Sequence, residues 1–317
     1  MIAPDFRAQT IITPDQHQLR AGIWSMPGRA PSRAICVLLN GHTEFLEKYA
    51  EVAGELCARG FEVVSLDWRG QGASERRVYG NRAGHIGNFE EYDIDLAALI
   101  LQVVEPMQRS LPAPLPLVAV AHSMGGHILL RYLHDHPRRL LCAVLCAPMV
   151  DIETGKFSPA IAQLVAWLLN LRRPSKRPIF GIERHDPLEL RFEDNVVTCD
   201  RGRFERNQDM LRQQPFLRIS GPTFGWLGAA FQSIRRMRRR RFAGDVVTPL
   251  LVFGAGEDKV VRSEAIRALC QRLPNARYVE IKGARHEILM ETDAIRAGFW
   301  RDFDAFMDVH VPRRDGA

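Results

Sequence analysis

Short apolar runs alternate with amphipathic segments along most of the chain. Six runs are predicted to be strands, and most of them have the apolar character of buried strands: 34–41, 61–68, 116–123, 141–148, 249–256 and 276–283. Five intervening segments carry apolar residues at helical spacing: 49–60, 89–104, 124–137, 262–273 and 293–308. Strands of this kind separated by helices are typical of a parallel sheet buried on both faces. The pattern therefore predicts an α/β protein with a mostly parallel, doubly wound sheet.

Two parts of the chain depart from this alternation. The segments near 7–13 and 17–26 alternate between polar and apolar residues, which predicts an antiparallel hairpin at one edge of the sheet. After Pro148 the alternation stops, and it returns only at 249. We therefore predict one α/β core in two parts, 1–150 and 245–317, with an inserted helical cap over 151–244.

Charge and composition indicate which partners the protein is expected to bind. The 317 residues are 46% hydrophobic and 25% charged, which is ordinary for a globular protein. The net charge of +6 arises mainly from six arginines within 235–241. Such a run indicates either a solvated helical face or attraction to anionic lipid head groups. Nucleic acid is not an expected partner, because no nucleic-acid fold pattern accompanies the arginines.

Targeting and cysteine signals are weak. The first twenty residues lack the apolar stretch of a secretory signal, and no run reaches the roughly 20 apolar residues of a membrane span. Six cysteines occur without a CxxC pair. We expect a cytoplasmic protein with reduced cysteines and no metal or cofactor, and a peripheral contact with the inner membrane stays open. The oligomeric state is not predicted.

The run VAVAHSMGGHILL, 118–130, places one hydroxyl between a predicted strand and a predicted helix. Ligands of open α/β sheets bind beyond the carboxyl ends of strands, so Ser123 lies where a nucleophile is expected. Small residues are needed two positions to either side, and Ala121 and Gly125 meet that need. The alternative interpretation is that Ser123 only caps the helix.

A serine nucleophile needs a base, and the base needs an orienting carboxylate. Asp258 follows the strand of FGAGEDKVV and His286 follows the strand of KGARHEIL, in the chain order that this fold uses. We therefore predict a catalytic triad of Ser123, Asp258 and His286. Less suitable residues are His122, His127, His134, His136, Glu257 and Glu287.

Acyl transfer also needs donors for the developing oxyanion. The amide of Met124 directly follows the nucleophile, and the loop NGHTEFLEKY offers the amide of His42. We predict an oxyanion hole from His42 and Met124, with side-chain catalysis by His42 as an alternative.

Several blocks of the chain together resemble a known family: NGHTEFLEKYAEVAGELCARGFEVVSLDWRGQGASER, GHIGNFEEYDIDL, AHSMGG, GPTFGWL, GAGEDKVV and GARHEIL. The resemblance is to the bacterial lysophospholipase and monoacylglycerol lipase branch of the α/β-hydrolases, which are S33-type serine hydrolases, and it spans roughly 20–310. It implies an esterase acting on a fatty acyl chain beneath a mobile cap, with Ser123, Asp258 and His286 as the triad. Two departures are Ala121, for the glycine of G-x-S-x-G, and Asn40, for the histidine of the lipase HG pair.

The predicted function is hydrolysis of a lipid-like carboxylic ester. The apolar segment 157–171 favours a lipid-like substrate. The segment packs on the core, lines the acyl pocket or contacts a membrane, and the sequence leaves these three alternatives open. One alternative is an S33-type aminopeptidase whose cap carboxylates bind a free amine; the candidates are Glu183, Asp186, Glu189, Glu193 and Asp194. The others are a broad short-chain esterase and a catalytically inactive binding module. Asp67 and His85 are expected to be structural.

Overall fold

The strands of the protein form one large sheet and one small one. The structure is a computed structural model, and it describes residues 4–27, 32–77, 82–110, 114–154, 158–171, 175–179 and 186–311. The strands are β1 Asp5–Ile12, β2 Gln18–Ser25, β3 Ala34–Leu39, β4 Phe61–Leu66, β5 Ala83–Gly84, β6 Leu117–His122, β7 Cys142–Cys146, β8 Gly221–Pro222, β9 Leu250–Ala255 and β10 Ala276–Ile281. Eight of them pair in the order β1-β2-β4-β3-β6-β7-β9-β10, and β5 pairs with β8.

Helices follow most strands of the large sheet. They are α1 Ala50–Ala58, α2 Glu90–Leu99, α3 Glu105–Ser110, α4 Ser123–Asp135, α5 Pro159–Leu169, α6 Arg201–Gln213, α7 Phe224–Met237, α8 Phe242–Asp245, α9 Ser263–Cys270 and α10 Asp293–His310. Short 3-10 turns lie at Leu46–Tyr49, Pro187–Glu189, Phe192–Asp194, Pro215–Leu217 and Ile288–Met290. The helix predicted over 89–104 continues through a π turn at Ile100–Val104 into α3, so its predicted end was wrong.

The centre of the sheet is parallel and fully buried. Every residue of β3, β6, β7 and β9 is buried, as expected for strands covered on both faces. Within the large sheet, the antiparallel strand pairs join β1 to β2 and β2 to β4 at one edge, so the predicted edge hairpin is confirmed. The predicted fold class, a mostly parallel sheet with flanking helices, is also confirmed.

The carboxyl edge of the parallel strands brings the predicted site residues together. Ser123 directly follows β6, the loop containing His42 follows β3, and Asp258 and His286 lie a few residues beyond β9 and β10. Parallel strands end at the same edge, so four loops from distant parts of the chain meet there.

The chain between β7 and β9 contributes no strand to the large sheet among its described residues. It holds α5 to α8 and the strand β8, and β8 pairs with β5 of the first part of the chain. The limits of the cap, 151–244, stay a prediction. Within the described residues, no helix combines the length and the apolar character that a membrane crossing requires.

Candidate active site

Ser123 lies at the sharp turn between β6 and α4. Its φ angle is +49°, in the left-handed region that side chains larger than glycine seldom adopt. The helix begins at Ser123 itself, and no side chain caps its first turn. The Ser123 hydroxyl is hydrogen-bonded to His286 instead. The interpretation of Ser123 as a helix cap is therefore wrong.

The space around the turn explains which neighbours must be small. A Cβ atom built on Gly125 would lie 2.6 Å from the carbonyl oxygens of Leu39 and Asn40. Main-chain atoms cannot be moved aside without shifting β3, so only glycine fits at 125. Ala121 is fully buried in β6, opposite Leu39 in β3. Position 121 therefore accepts one methyl group, although position 125 does not.

Three side chains form a continuous hydrogen-bonded chain at this edge. The Ser123 Oγ atom lies 2.9 Å from Nε2 of His286, and His286 Nδ1 lies 2.8 Å from Oδ2 of Asp258. Burial opposes ionisation of Asp258, but the bond from His286 and those from the amides of Val260 and Val261 outweigh it. The pKa of Asp258 is therefore lowered, and the carboxylate accepts from the imidazole at neutral pH.

The rival residues are bonded elsewhere or point away. Glu257 is exposed, and the Nδ1 atom of His122 lies 3.2 Å from the carbonyl oxygen of Cys146. His127 is fully buried between the carbonyl oxygen of Met149 and the hydroxyl of Ser233. Burial lowers the pKa of His122 to about 4 and that of His127 to about 3, so both rings are neutral at pH 7.

The backbone amides of the loop after β3 differ in whether a hydrogen-bond acceptor lies opposite them. The Gly41 amide donates to Oε2 of Glu44, and the Thr43 amide donates to Oε1 of Gln71. Between them, the amide of His42 makes no hydrogen bond within the described part of the chain. An unengaged amide at this point meets the chemical need of an oxyanion donor. The Met124 amide lies in the first turn of α4, where helical amides lack an intrahelical partner.

The His42 ring packs against Trp226 and Gly84, and its Nε2 atom is buried. It packs on Trp226 with ring centroids 4.5 Å apart, and a Cβ built on Gly84 would lie 2.4 Å from its Nε2 atom. Burial lowers the pKa of His42 to about 3, so the ring stays neutral at pH 7. Trp226, on α7, donates through its Nε1 atom to the hydroxyl of Tyr92.

Asp67 holds the adjacent turn, as expected. Its carboxylate accepts from the amides of Leu46 and Ala73 and pairs with Arg20. His85, also expected to be structural, has its Nδ1 atom 2.8 Å from the hydroxyl of Thr223. Both residues stabilise loops around the site.

Three charged residues beside the site were not recognised from the sequence as one group. Lys48 Nζ donates to Oε1 of Glu44 at 2.7 Å and to Oε1 of Glu287 at 2.6 Å. The sequence indicates that Glu287 is a less suitable base, but it does not predict the contact with Lys48. Within the described ranges, no cluster of His, Cys, Asp or Glu is arranged to hold a metal ion, and none of the six cysteines forms a disulfide bond.

Comparison with known proteins identifies the family of the chain. The family described as serine aminopeptidase, S33, matches residues 30–293. Lysophospholipase L2 of Escherichia coli K12 is 33% identical over 273 residues, which cover 83% of this chain and 77% of that protein. The monoacylglycerol lipase of Mycolicibacterium smegmatis is 25% identical and covers 86% of each chain.

Solved structures share the fold. A soluble variant of the monoglyceride lipase from Saccharomyces cerevisiae superposes with a TM-score of 0.77 over 98% of this chain and 97% of its own, at 18% identity. A carboxyl esterase from Bacillus coagulans gives a TM-score of 0.72 over 98% and 100%, at 19% identity. The resemblance inferred from the sequence motifs is confirmed by the family match. The chain therefore belongs to the S33 serine aminopeptidase family of α/β-hydrolases, in the branch that includes lysophospholipases and monoacylglycerol lipases.

Proposed function

We propose that this protein hydrolyses the carboxylic ester of singly acylated lipids, lysophospholipids or monoacylglycerols, through an acyl-enzyme on Ser123. It is a carboxylic ester hydrolase, in keeping with the names of its relatives. One observation carries the assignment of residues: the Ser123–His286–Asp258 chain, with separations of 2.9 and 2.8 Å. These distances suit proton transfer without rearrangement.

The reaction follows from these positions. His286 Nε2 takes the proton of Ser123 as Oγ attacks the ester carbonyl, and Asp258 stabilises the imidazolium that forms. The oxyanion accepts hydrogen bonds from the amides of His42 and Met124. His286 then gives its proton to the leaving alcohol, and a water molecule, activated by the same imidazole, releases the fatty acid.

Three of the five carboxylates considered for binding a free amine are already paired, which favours an ester over a peptide substrate. Recognition of a free amine needs a carboxylate that is not already paired. Asp186, Glu193 and Asp194 instead form ion pairs with Arg82, Arg201 and Arg191 respectively. Glu189 is exposed, and Glu183 lies outside the described residues.

A comparison of substrates tests the proposal. Lysophosphatidylcholine, a monoacylglycerol, a short-chain p-nitrophenyl ester and an aminoacyl amide are assayed at equal concentration. We expect the two lipids to give the highest kcat/KM and the amide to give no measurable rate. A higher kcat/KM for the amide than for either lipid would support the aminopeptidase instead.

We further propose that α5 contacts a lipid surface. Ile161, Leu164 and Trp167 are each about half exposed, an unusual position for large apolar side chains on three successive turns. The helix packs on α7 through Ala166 and Asn170, which leaves the opposite face uncovered. Exposed arginines at 238–241 follow α7 and would attract anionic head groups.

Replacing Ile161, Leu164 and Trp167 together with serine is expected to weaken binding to anionic vesicles at least tenfold. Each half-exposed side chain would lose roughly 1 kcal/mol of burial in the lipid. Sedimentation with vesicles measures the binding, and hydrolysis of soluble p-nitrophenyl acetate should be unchanged. Leu101→Ser is the matched control, because Leu101 is equally exposed on another element. Equal vesicle binding by the triple variant and the control would exclude the contact.

A further inference from the structure

A buried charge bridge lies beside the proposed active site and has no part in the mechanism above. Lys48 Nζ is held between one carboxylate oxygen of Glu44, 2.7 Å away, and one of Glu287, 2.6 Å away. All three side chains are largely buried. A buried charge group is costly unless each member is paired, so its presence here needs an explanation.

At one end, the bridge defines the shape of the loop after β3. The second oxygen of Glu44 accepts from the amide of Gly41 and from the hydroxyl of Tyr49. Glu44 thereby holds the backbone one residue before His42. With the Thr43 amide bound to Gln71, the amide of His42 is the one left to face a developing oxyanion.

At the other end, the bridge reaches the loop that carries the base. Glu287 follows His286 directly, and its own amide donates to the carbonyl of Val197. Lys48 therefore joins the proposed oxyanion loop to the His286 loop across 239 positions of sequence. These two loops must keep a constant separation if proton transfer and oxyanion binding are to occur in one geometry.

The state of each member follows from its contacts. Burial opposes the charge on Glu44, but Lys48 and the hydrogen-bond donors outweigh it and hold the pKa of Glu44 at about 2. Burial likewise opposes the charge on Lys48, yet Glu287 and Glu44 raise the pKa of Lys48 above its ordinary value. Burial raises the pKa of Glu287.

We propose that Lys48, bridging Glu44 and Glu287, is a positioning residue that holds the oxyanion loop in register with His286. The inference rests on the proposed function, because it assigns a role in the same ester hydrolysis. It names residues that the triad and the oxyanion hole do not include.

Kinetics of Lys48 variants test the positioning role on a soluble p-nitrophenyl ester. For Lys48→Met we expect kcat to fall about 10- to 100-fold with KM within a factor of three, because substrate binding does not involve the bridge. Lys48→Arg, which keeps a cation between the carboxylates, should recover most of the loss. A kcat for Lys48→Met within threefold of the parent value would overturn the proposal.

Arg203 provides a matched control for stability. Its side chain is about as buried as that of Lys48, and it likewise pairs with more than one carboxylate, namely Glu51, Asp200 and Asp293. Arg203→Met should lower the Tm by an amount comparable to Lys48→Met and leave kcat within twofold. If both variants lose kcat equally, the effect of Lys48 is one of general stability and the proposal fails.

A second variant remains informative if Lys48→Met does not fold. Glu287→Gln keeps the shape of the side chain but removes the charge that Lys48 contacts on the His286 loop. We expect kcat to fall about tenfold with KM within a factor of three, because the two loops are then joined less tightly. A kcat within threefold of the parent value would count against the bridge.

Labelling separates this proposal from the proposed function. A fluorophosphonate probe is applied to the parent protein and to Lys48→Met, and the rate of modification of Ser123 is measured. Absence of labelling in the parent would reject the proposed function. Labelling of both proteins at equal rates would leave that function standing and reject the positioning role of Lys48.

Discussion

Replacing Ser123 with alanine is expected to lower kcat/KM on a p-nitrophenyl acyl ester by roughly ten-thousand- to a million-fold. The variant removes the oxygen that lies 2.9 Å from His286 Nε2 and would form the acyl bond. The oxyanion donors and the substrate pocket stay in place, so a small residual rate above the uncatalysed reaction is expected. Steady-state assays with protein at high concentration measure it.

The fold should survive this change. Alanine differs from serine by one oxygen atom and adopts the φ of +49° with similar strain, so we expect the Tm to change by only a few degrees. Ser110→Ala, on the exposed end of α3, is the control and should keep full activity. Retention of more than a tenth of the parent kcat/KM by Ser123→Ala would refute the acyl-enzyme mechanism.

Replacing Gly125 with alanine is expected to cost about 2–3 kcal/mol of stability and at least a hundredfold in kcat/KM. Its new methyl group would lie 2.6 Å from two carbonyl oxygens at the end of β3, well inside van der Waals contact. Relief of that clash moves the backbone that leads to His42, and a displacement near 1 Å costs about a hundredfold in rate. Thermal unfolding and kinetics of the same preparation measure both effects.

The matched control is Ala121→Gly, on the other side of the turn. It removes one buried methyl group and adds backbone freedom, so we expect a loss of about 1 kcal/mol and activity within threefold of the parent. If Ala121→Gly raised kcat/KM more than tenfold, the alanine would be limiting the turn. If Gly125→Ala left stability and rate unchanged, the steric account of the turn would be wrong.

Most of the fold could be predicted from local sequence patterns. Continuous apolar runs such as β6 and β9 signal burial on both faces, and they end next to polar residues whose order along the chain matches a triad. Ser123, Asp258 and His286 could therefore be proposed together before their separations were known. Ligands of such sheets bind beyond the carboxyl ends of the parallel strands. The parallel arrangement could be predicted from the alternation of strands and helices alone.

The contacts of Lys48 with Glu44 and Glu287 could not be predicted from local patterns. In sequence, Glu44 and Lys48 resemble the charged face of a solvated helical turn, and the i,i+4 spacing is ordinary for a surface pair. What makes the pair different is Glu287, which approaches from 239 residues away and excludes water. Burial of a charge depends on tertiary contacts, which no local window contains.

Tertiary packing also determines which side of the segment 157–171 is buried. Its apolar residues fit both a buried helix and a lipid-facing one, and the sequence left both open. In the structure, Ala166 is buried whereas Leu164 and Leu168 are about half exposed. One helix therefore has a packed side and an open side, although nearly all of its residues are apolar.

The exposed position of Trp167 makes the protein's own fluorescence a reporter for that open side. The chain has five tryptophans, all within the described residues, and Trp167 is 57% exposed whereas Trp24, Trp68, Trp226 and Trp300 are each buried. A collisional quencher such as acrylamide would therefore act almost entirely on Trp167. Loss of quenching on addition of vesicles would signal that α5 has entered an apolar environment, and no attached dye is needed to observe it.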